Sequence, residues 1–404
     1  MRLRVFHADD GDCLLLTSAD GHHLLVDGGR SGTFRDHAWP TLEQMADDDE
    51  QVDLVVVSHV DADHITGIAW LFELVVEWLA HDFQVETGNE GHKPPKFRRP
   101  PAMGGLWHNS WLDPRDAVGG QAEALVQRVD AIAAGLTDTA DDTLVGPLRN
   151  LALGLEAGAD LRRLVDEGTS IPRNRPFRAE VLRQKRRPHV EALGSTSLTV
   201  IGPTRKHLDE LREEWDDILT KAGVRSGDVD QAAHAIVTGG ASQVTIENRA
   251  SIMLLAEEVD GDRTASCLLT GDAAQAEIIE GLEATGHLAD GPYWCDVVKV
   301  QHHGSEHNVD EEFARQVVAG TYVFCGNGGS GNPDHRVVKR IIDARVEDER
   351  PFDLWFNCSP ARTSGTRREA LTAAIAEARA GEDRHAGLTV HVLDDDEDFV
   401  DIEV

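Results

Sequence analysis

Val55-Val56-Val57-Ser58-His59-Val60-Asp61-Ala62-Asp63-His64-Ile65-Thr66-Gly67 decides how this chain is read. A β-branched run stops abruptly, and two imidazoles and two carboxylates follow within six positions. Such a run suits a strand buried on both faces, and residues just past its end lie at the rim of a sheet. His59 and Asp61 are two apart and point the same way in an extended segment. Asp63 and His64 are adjacent and point to different sides, which suits two neighbouring metal ions better than one. A solvated loop holds one His and one Asp by chance, but is rarely followed by an apolar stretch such as Ile65 to Leu79.

Other landmarks lie outward from this stretch in both directions. His7-Ala8-Asp9-Asp10-Gly11-Asp12-Cys13-Leu14-Leu15-Leu16 reads as a turn entering a strand, and Leu24-Leu25-Val26-Asp27-Gly28-Gly29 as a strand ending at a carboxylate. Further on stand Asn248-Arg249-Ala250-Ser251-Ile252, Leu268-Leu269-Thr270-Gly271-Asp272-Ala273 and Val298-Lys299-Val300-Gln301-His302-His303-Gly304-Ser305. With these motifs in this order, the chain resembles the metallo-β-lactamase fold hydrolases. Within them it is similar to soluble relatives of the competence protein ComEC's hydrolase domain. The family's usual His-x-His-x-Asp-His is here His59-x-Asp61-x-Asp63-His64, with Asp61 in place of a histidine.

The resemblance implies an αββα sandwich holding two divalent metal ions, zinc or manganese. Asp272 would bridge them, although an Asp between a strand and a helix also serves as a helix cap. Asp63, His64 and His303 would join Asp272 around one ion, and His59 and Asp61 around the other. That second ion is short of a ligand, and His108 lies where the family's third ligand belongs; beside Trp107 and Trp111 it reads equally as packing. Asp27 would orient a metal-binding imidazole from behind. His302 and Asn248 would support the site or touch substrate. His335 would donate a proton to the leaving oxygen, or be an exposed helix-start residue. Asp61, harder than imidazole, shifts the expected preference from zinc towards manganese, magnesium or iron.

The chain has 404 residues and a formal net charge of −33. That balance argues against a surface that grips nucleic acid throughout, since phosphate binding draws on Lys and Arg. Basic residues nevertheless cluster, at Lys93, Lys96, Arg98 and Arg99 and again from Arg173 to Arg187. The second island, with Arg183, Lys185, Arg186 and Arg187, is either a solvated helical face or a rim that steers phosphate chains. Five scattered cysteines without paired spacing fit reduced thiols in a cytoplasmic protein. No apolar run approaches the length of a membrane span, about 18 residues or more.

The chain reads as one α/β domain over 1–404. A helical and basic insertion is expected at about 88–192, and a closing hairpin at about 388–404. Neither a Gly-x-Ser-x-Gly nucleophile motif nor a Gly-x-x-x-x-Gly-Lys phosphate loop is present. The expected function is therefore metal-dependent hydrolysis by a metal-bound hydroxide, with Asp63 orienting it. The leading substrate is a phosphodiester, DNA or a nucleotide. A small-molecule amide, lactone or thioester hydrolase and a catalytically degenerate binding module are the alternatives. A protein partner is not readable from the residues.

Overall fold

The computed structural model describes residues 1–89, 91–109, 142–185, 188–221, 246–346, 348 and 350–404. Two sheets face each other. The first runs Phe399–Glu403, Arg2–Phe6, Leu14–Thr17, His23–Val26, Leu54–Val57, Leu106–His108. The second runs Leu388–Val392, Phe352–Phe356, Val317–Phe324, Tyr293–Lys299, Arg263–Leu269, Met253–Asp260, Thr196–Gly202, Val190–Leu193. Its first five strands are parallel, and the remaining pairings are antiparallel.

Three apolar cores separate four layers. Leu54 and Val56 enter the core between the sheets, with Leu24, Val26, Leu254, Leu269 and Val297. Val55 and Val57 point the other way, into the core shared with the Ala62–Glu86 helix and its Ile65, Ile68 and Phe72. The period of two along a strand thus explains why the valine run is continuous: both faces are covered. Each such side chain contributes about 1.5–3 kcal/mol on burial, which pins the strand and fixes where its end points. On the far side, the Gln275–Thr285, His335–Arg345 and Gly365–Glu382 helices cover the second sheet through Ile278, Ile341 and Leu371. The layer order is the αββα sandwich expected from the sequence.

Two expectations are corrected. The segment 388–404 is not a hairpin: Leu388–Val392 pairs in parallel with Phe352–Phe356, while Phe399–Glu403 crosses over and pairs with Arg2–Phe6. Alternation in Phe399 to Val404 identifies a strand but does not name its partner. The insertion expected from about residue 88 does not begin there, because Leu106–His108 is an integral strand of the first sheet, parallel to Leu54–Val57. After it, the Asp142–Gly168 helix packs on the Ala62–Glu86 helix. Residues 110–141 of the expected helical insertion lie outside the described residues. No helix among the described residues is long and apolar enough to cross a membrane.

Candidate metal centre

Five chain segments end at one edge of the sandwich. His59 follows the Leu54–Val57 strand, Asp27 the His23–Val26 strand, Asp272 the Arg263–Leu269 strand, and His302 and His303 the Tyr293–Lys299 strand. Asp12 comes from the turn before Leu14–Thr17. That turn lies against the start of the Ala62–Glu86 helix so closely that a Cβ on Gly11 would fall 1.7 Å from the Asp63 carbonyl oxygen. The Asp27-Gly28-Gly29 turn is fastened to the same helix, with Gly28 N donating to His64 O at 2.8 Å and Gly67 N to Gly29 O at 3.0 Å.

One carboxylate oxygen is the focus. Asp272 Oδ2 lies 3.3 Å from His64 Nε2, 3.3 Å from His303 Nε2, 4.0 Å from His59 Nε2 and 4.0 Å from His302 Nε2. Asp63 Oδ2 is 3.5 Å from His303 Nε2, and Asp61 Oδ2 is 3.5 Å from His59 Nε2. Asp12, His64, Asp272 and His303, all buried, bring ligand atoms within 4.8 Å of one another.

Behind each imidazole, the other ring nitrogen faces a polar group. His64 Nδ1 donates to Asp27 Oδ2 at 2.9 Å. Ser58 donates its hydroxyl to the same Oδ2 at 2.7 Å and faces His59 Nδ1 at 2.9 Å, so Ser58 accepts the His59 proton. His303 Nδ1 lies 3.3 Å from Asp12 Oδ1, and His302 Nδ1 lies 2.8 Å from Asn308 Oδ1. With Nδ1 of His64 and His59 engaged by Asp27 and Ser58, the Nε2 atoms are the ones turned towards Asp272, the arrangement a metal-binding imidazole requires. Behind the cluster the buried Lys299 donates to Gly271 O at 2.9 Å, lies 3.3 Å from Asp272 Oδ1, and is ion-paired with Asp12 Oδ2. Lys299 therefore occupies one oxygen of Asp272 and leaves Oδ2 to the imidazoles. Asp12, engaged by Lys299 and His303, serves to orient them.

The electrostatics suit a cation. Burial alone would depress His64, yet Asp272, Asp27 and Asp12 outweigh it and raise it well above its ordinary range. Burial likewise works against His303, which Asp272 and Asp12 raise. Asp12, despite burial, is brought down to about 2 by Lys299 and His64. Asp272 is held far below its ordinary value against the same penalty, chiefly by His303 and His64. The Nε2 atoms of His59, His64 and His303 are buried and make no hydrogen bond. Orphaned buried acceptors cost free energy unless something satisfies them, so the donor set fits a divalent ion. Imidazole with carboxylate suits zinc and manganese alike.

The remaining expected residues fall outside this focus. His108 is buried, its ring nitrogens without hydrogen bonds. It lies beneath the Asp142–Gly168 helix, where a Cβ on Gly158 would stand 3.9 Å from its Nε2. Burial, with the Arg173 charge adding to it, lowers it to about 3. His335 begins its helix with an exposed side chain 3.6 Å from Asp334, on a turn tied to Gly304 through Asp334 N. The Asn248 amide is 3.1 Å from His302 Nδ1. In the basic island Arg183 is paired with Glu280, and Arg173 is bidentate to Asp166 at 2.8 Å; Lys185 is exposed. Arg186 and Arg187 lie outside the described residues. The free positive charge of the island is thus smaller than its sequence suggests.

The sequence reading gave no role to Asp12, Lys299, Ser58 or Asn308. Asp12 and Lys299 each stand inside a quoted landmark, which was the available signal. Ser58 and Asn308 act through pairings that no spacing encodes.

Residues 8–135 match the family model of the metallo-beta-lactamase superfamily. Among solved structures it is similar to the Rm3 metallo-beta-lactamase, with 14% identity, 78% of this chain and 80% of that chain covered, and a TM-score of 0.25. It is also similar to MEM-A1, a subclass B3 metallo-beta-lactamase isolated from a soil metagenome library. There the identity is 11%, the coverage 95% of this chain and 90% of that chain, and the TM-score 0.28. No curated protein matches the sequence.

Proposed function

We propose that this metallo-β-lactamase superfamily domain is a phosphodiester hydrolase that works with two divalent metal ions, zinc or manganese, on DNA or a nucleotide. The observation that carries the reading is the convergence of the His59, His64, His302 and His303 Nε2 atoms on Asp272 Oδ2. Divalent ions bound there would polarise a phosphoryl group and lower the pKa of an attacking water. Asp272 would help hold the ions, with Lys299 3.3 Å from its Oδ1.

Asp63 is kept well below the usual carboxylate range despite burial, chiefly by His303 and His64, so it is a poor proton acceptor. Its role is to accept a hydrogen bond and orient the attacking water. His335, exposed on the turn next to Gly304, would return a proton to the leaving oxygen. Two guanidiniums stand near the site, both engaged by Asp10 on the turn that abuts Asp63: Arg30 is bidentate to it at 2.6 and 3.0 Å, and Arg367 lies 3.7 Å from the same carboxylate. The carboxylates at Asp61, Asp63 and Asp272 favour the harder ions that accompany phosphoryl chemistry.

The test is a panel on one preparation, stripped of metal and restored with manganese: bis-p-nitrophenyl phosphate, linear DNA and a β-lactam. Metal-dependent cleavage of the phosphodiesters, lost in Asp272→Asn, is expected. Cleavage of the β-lactam alone, or none of either phosphodiester, would overturn the proposal.

A further inference from the structure

Neighbouring residues on an extended chain turn their side chains to opposite sides, yet His302 and His303 both face Asp272. The backbone accounts for it. His302 has φ 46° and ψ 49°, and His303 φ 54° and ψ 19°, so two consecutive non-glycine residues occupy the left-handed region. Such a conformation costs roughly 1–2 kcal/mol per residue and persists only where the surroundings enforce it. The result places the two rings 5.9 Å apart, each with Nε2 towards the same carboxylate oxygen.

Two amides fix the His302 ring from its Nδ1 side. Asn308 donates its amide to Asp272 O at 3.1 Å and Ala273 O at 3.4 Å. Its Oδ1 therefore faces His302 Nδ1 at 2.8 Å, while the Asn248 amide nitrogen stands 3.1 Å from the same atom. With Nδ1 engaged from behind, Nε2 lies 4.0 Å from Asp272 Oδ2, the same distance as His59 Nε2 on that oxygen. His64 and His303 form the nearer pair, both at 3.3 Å, with Asp63 beside them. His59 and His302 are the farther two, each at 4.0 Å, with Asp61 3.5 Å from His59.

We propose that His302, rather than His108, completes the coordination of the second ion beside His59, Asp61 and Asp272. This rests on the two-ion reading above but not on the substrate assigned there. His302 spends left-handed strain to face the focus, whereas His108 Nε2 lies under Gly158 with Val60 and Ile65.

The experiment measures metal rather than turnover. Full-length wild type, His302→Asn and His108→Ala are stripped, titrated with manganese by equilibrium dialysis, and followed by electron paramagnetic resonance. Asn tolerates the left-handed backbone, so the turn survives in the first variant. Wild type should take up two ions and show a spin-coupled pair. His302→Asn should weaken the second ion at least about tenfold and leave an uncoupled signal. His108→Ala should keep both ions. Retention of two coupled ions in His302→Asn, loss of the second ion in His108→Ala, or uptake of only one ion by wild type would overturn the inference. Two ions in wild type and one in His302→Asn, without cleavage of any phosphodiester, would sink the proposed substrate and leave this assignment standing.

Discussion

Asp27 Oδ2 lies 2.9 Å from His64 Nδ1 and accepts the Ser58 hydroxyl at 2.7 Å as well. Through Ser58 the same oxygen reaches His59. One fully buried carboxylate thereby sets the tautomers of imidazoles in both halves of the site. Asp27→Asn keeps the shape but removes the charge and offers a donor where only an acceptor serves. Affinity for manganese should fall about 10- to 100-fold, the size seen when such an orienting partner is lost. Calorimetric titration checks it, and unchanged affinity for both ions would refute the role.

Lys299 faces Asp12 and Asp272 from a position of no exposure. Removing one member of a buried ionic group leaves the others uncompensated, at a cost of about 3–5 kcal/mol. Lys299→Met should therefore destabilise the metal-free protein by roughly that amount in urea. Added manganese should restore part of the loss, because a cation at Asp272 replaces the missing charge. A variant as stable as wild type without metal would show that the lysine is dispensable.

The parts legible in the sequence were those written by local pattern. Val55 to Val57 reads as a doubly buried strand because no polar residue interrupts it, and Asp61 to His64 sits where that strand must stop. Pairing was less legible. Leu106–His108 is only three residues long, too short for period two to register, so its place in the first sheet and the burial of His108 came from the structure. His302 and His303 gave no spacing cue either: adjacency argues that one faces away, and only the paired left-handed backbone reverses that. Lys299 looked like one more strand residue, and its role depends on Asp12, far away in the chain.

His7 is buried against Asn357 O at 3.4 Å, with the His37 ring 4.8 Å away. Burial, with Arg362 and His37 adding to it, lowers its pKa from the ordinary 6.5 to about 4. The folded protein thus carries His7 neutral where the unfolded chain binds a proton. Its contribution is fully present above pH 6.5 and is lost as pH falls towards 4, a difference on the order of 2–3 kcal/mol. His7→Gln should flatten the urea-denaturation profile across that window. A profile with the same slope in both proteins would assign the acid sensitivity elsewhere.

Asp61 departs from the histidine of the family pattern, and the structure sets it 3.5 Å from His59 Nε2 with its side chain about a third exposed. A carboxylate ligand is harder than imidazole and brings negative charge, which favours manganese over zinc at equal geometry. The charge also makes a bound water less acidic, so activity should rise at higher pH than in an all-imidazole site. Stripped wild type should accordingly recover more activity with manganese than with zinc. Asp61→His removes the charge and supplies the softer donor, and should narrow or reverse that order while moving the rising limb of the pH profile down. The measurement is phosphodiester cleavage against pH for both proteins with each metal. Equal rescue by zinc and manganese in both, with superimposable profiles, would mean that Asp61 stays out of the coordination sphere.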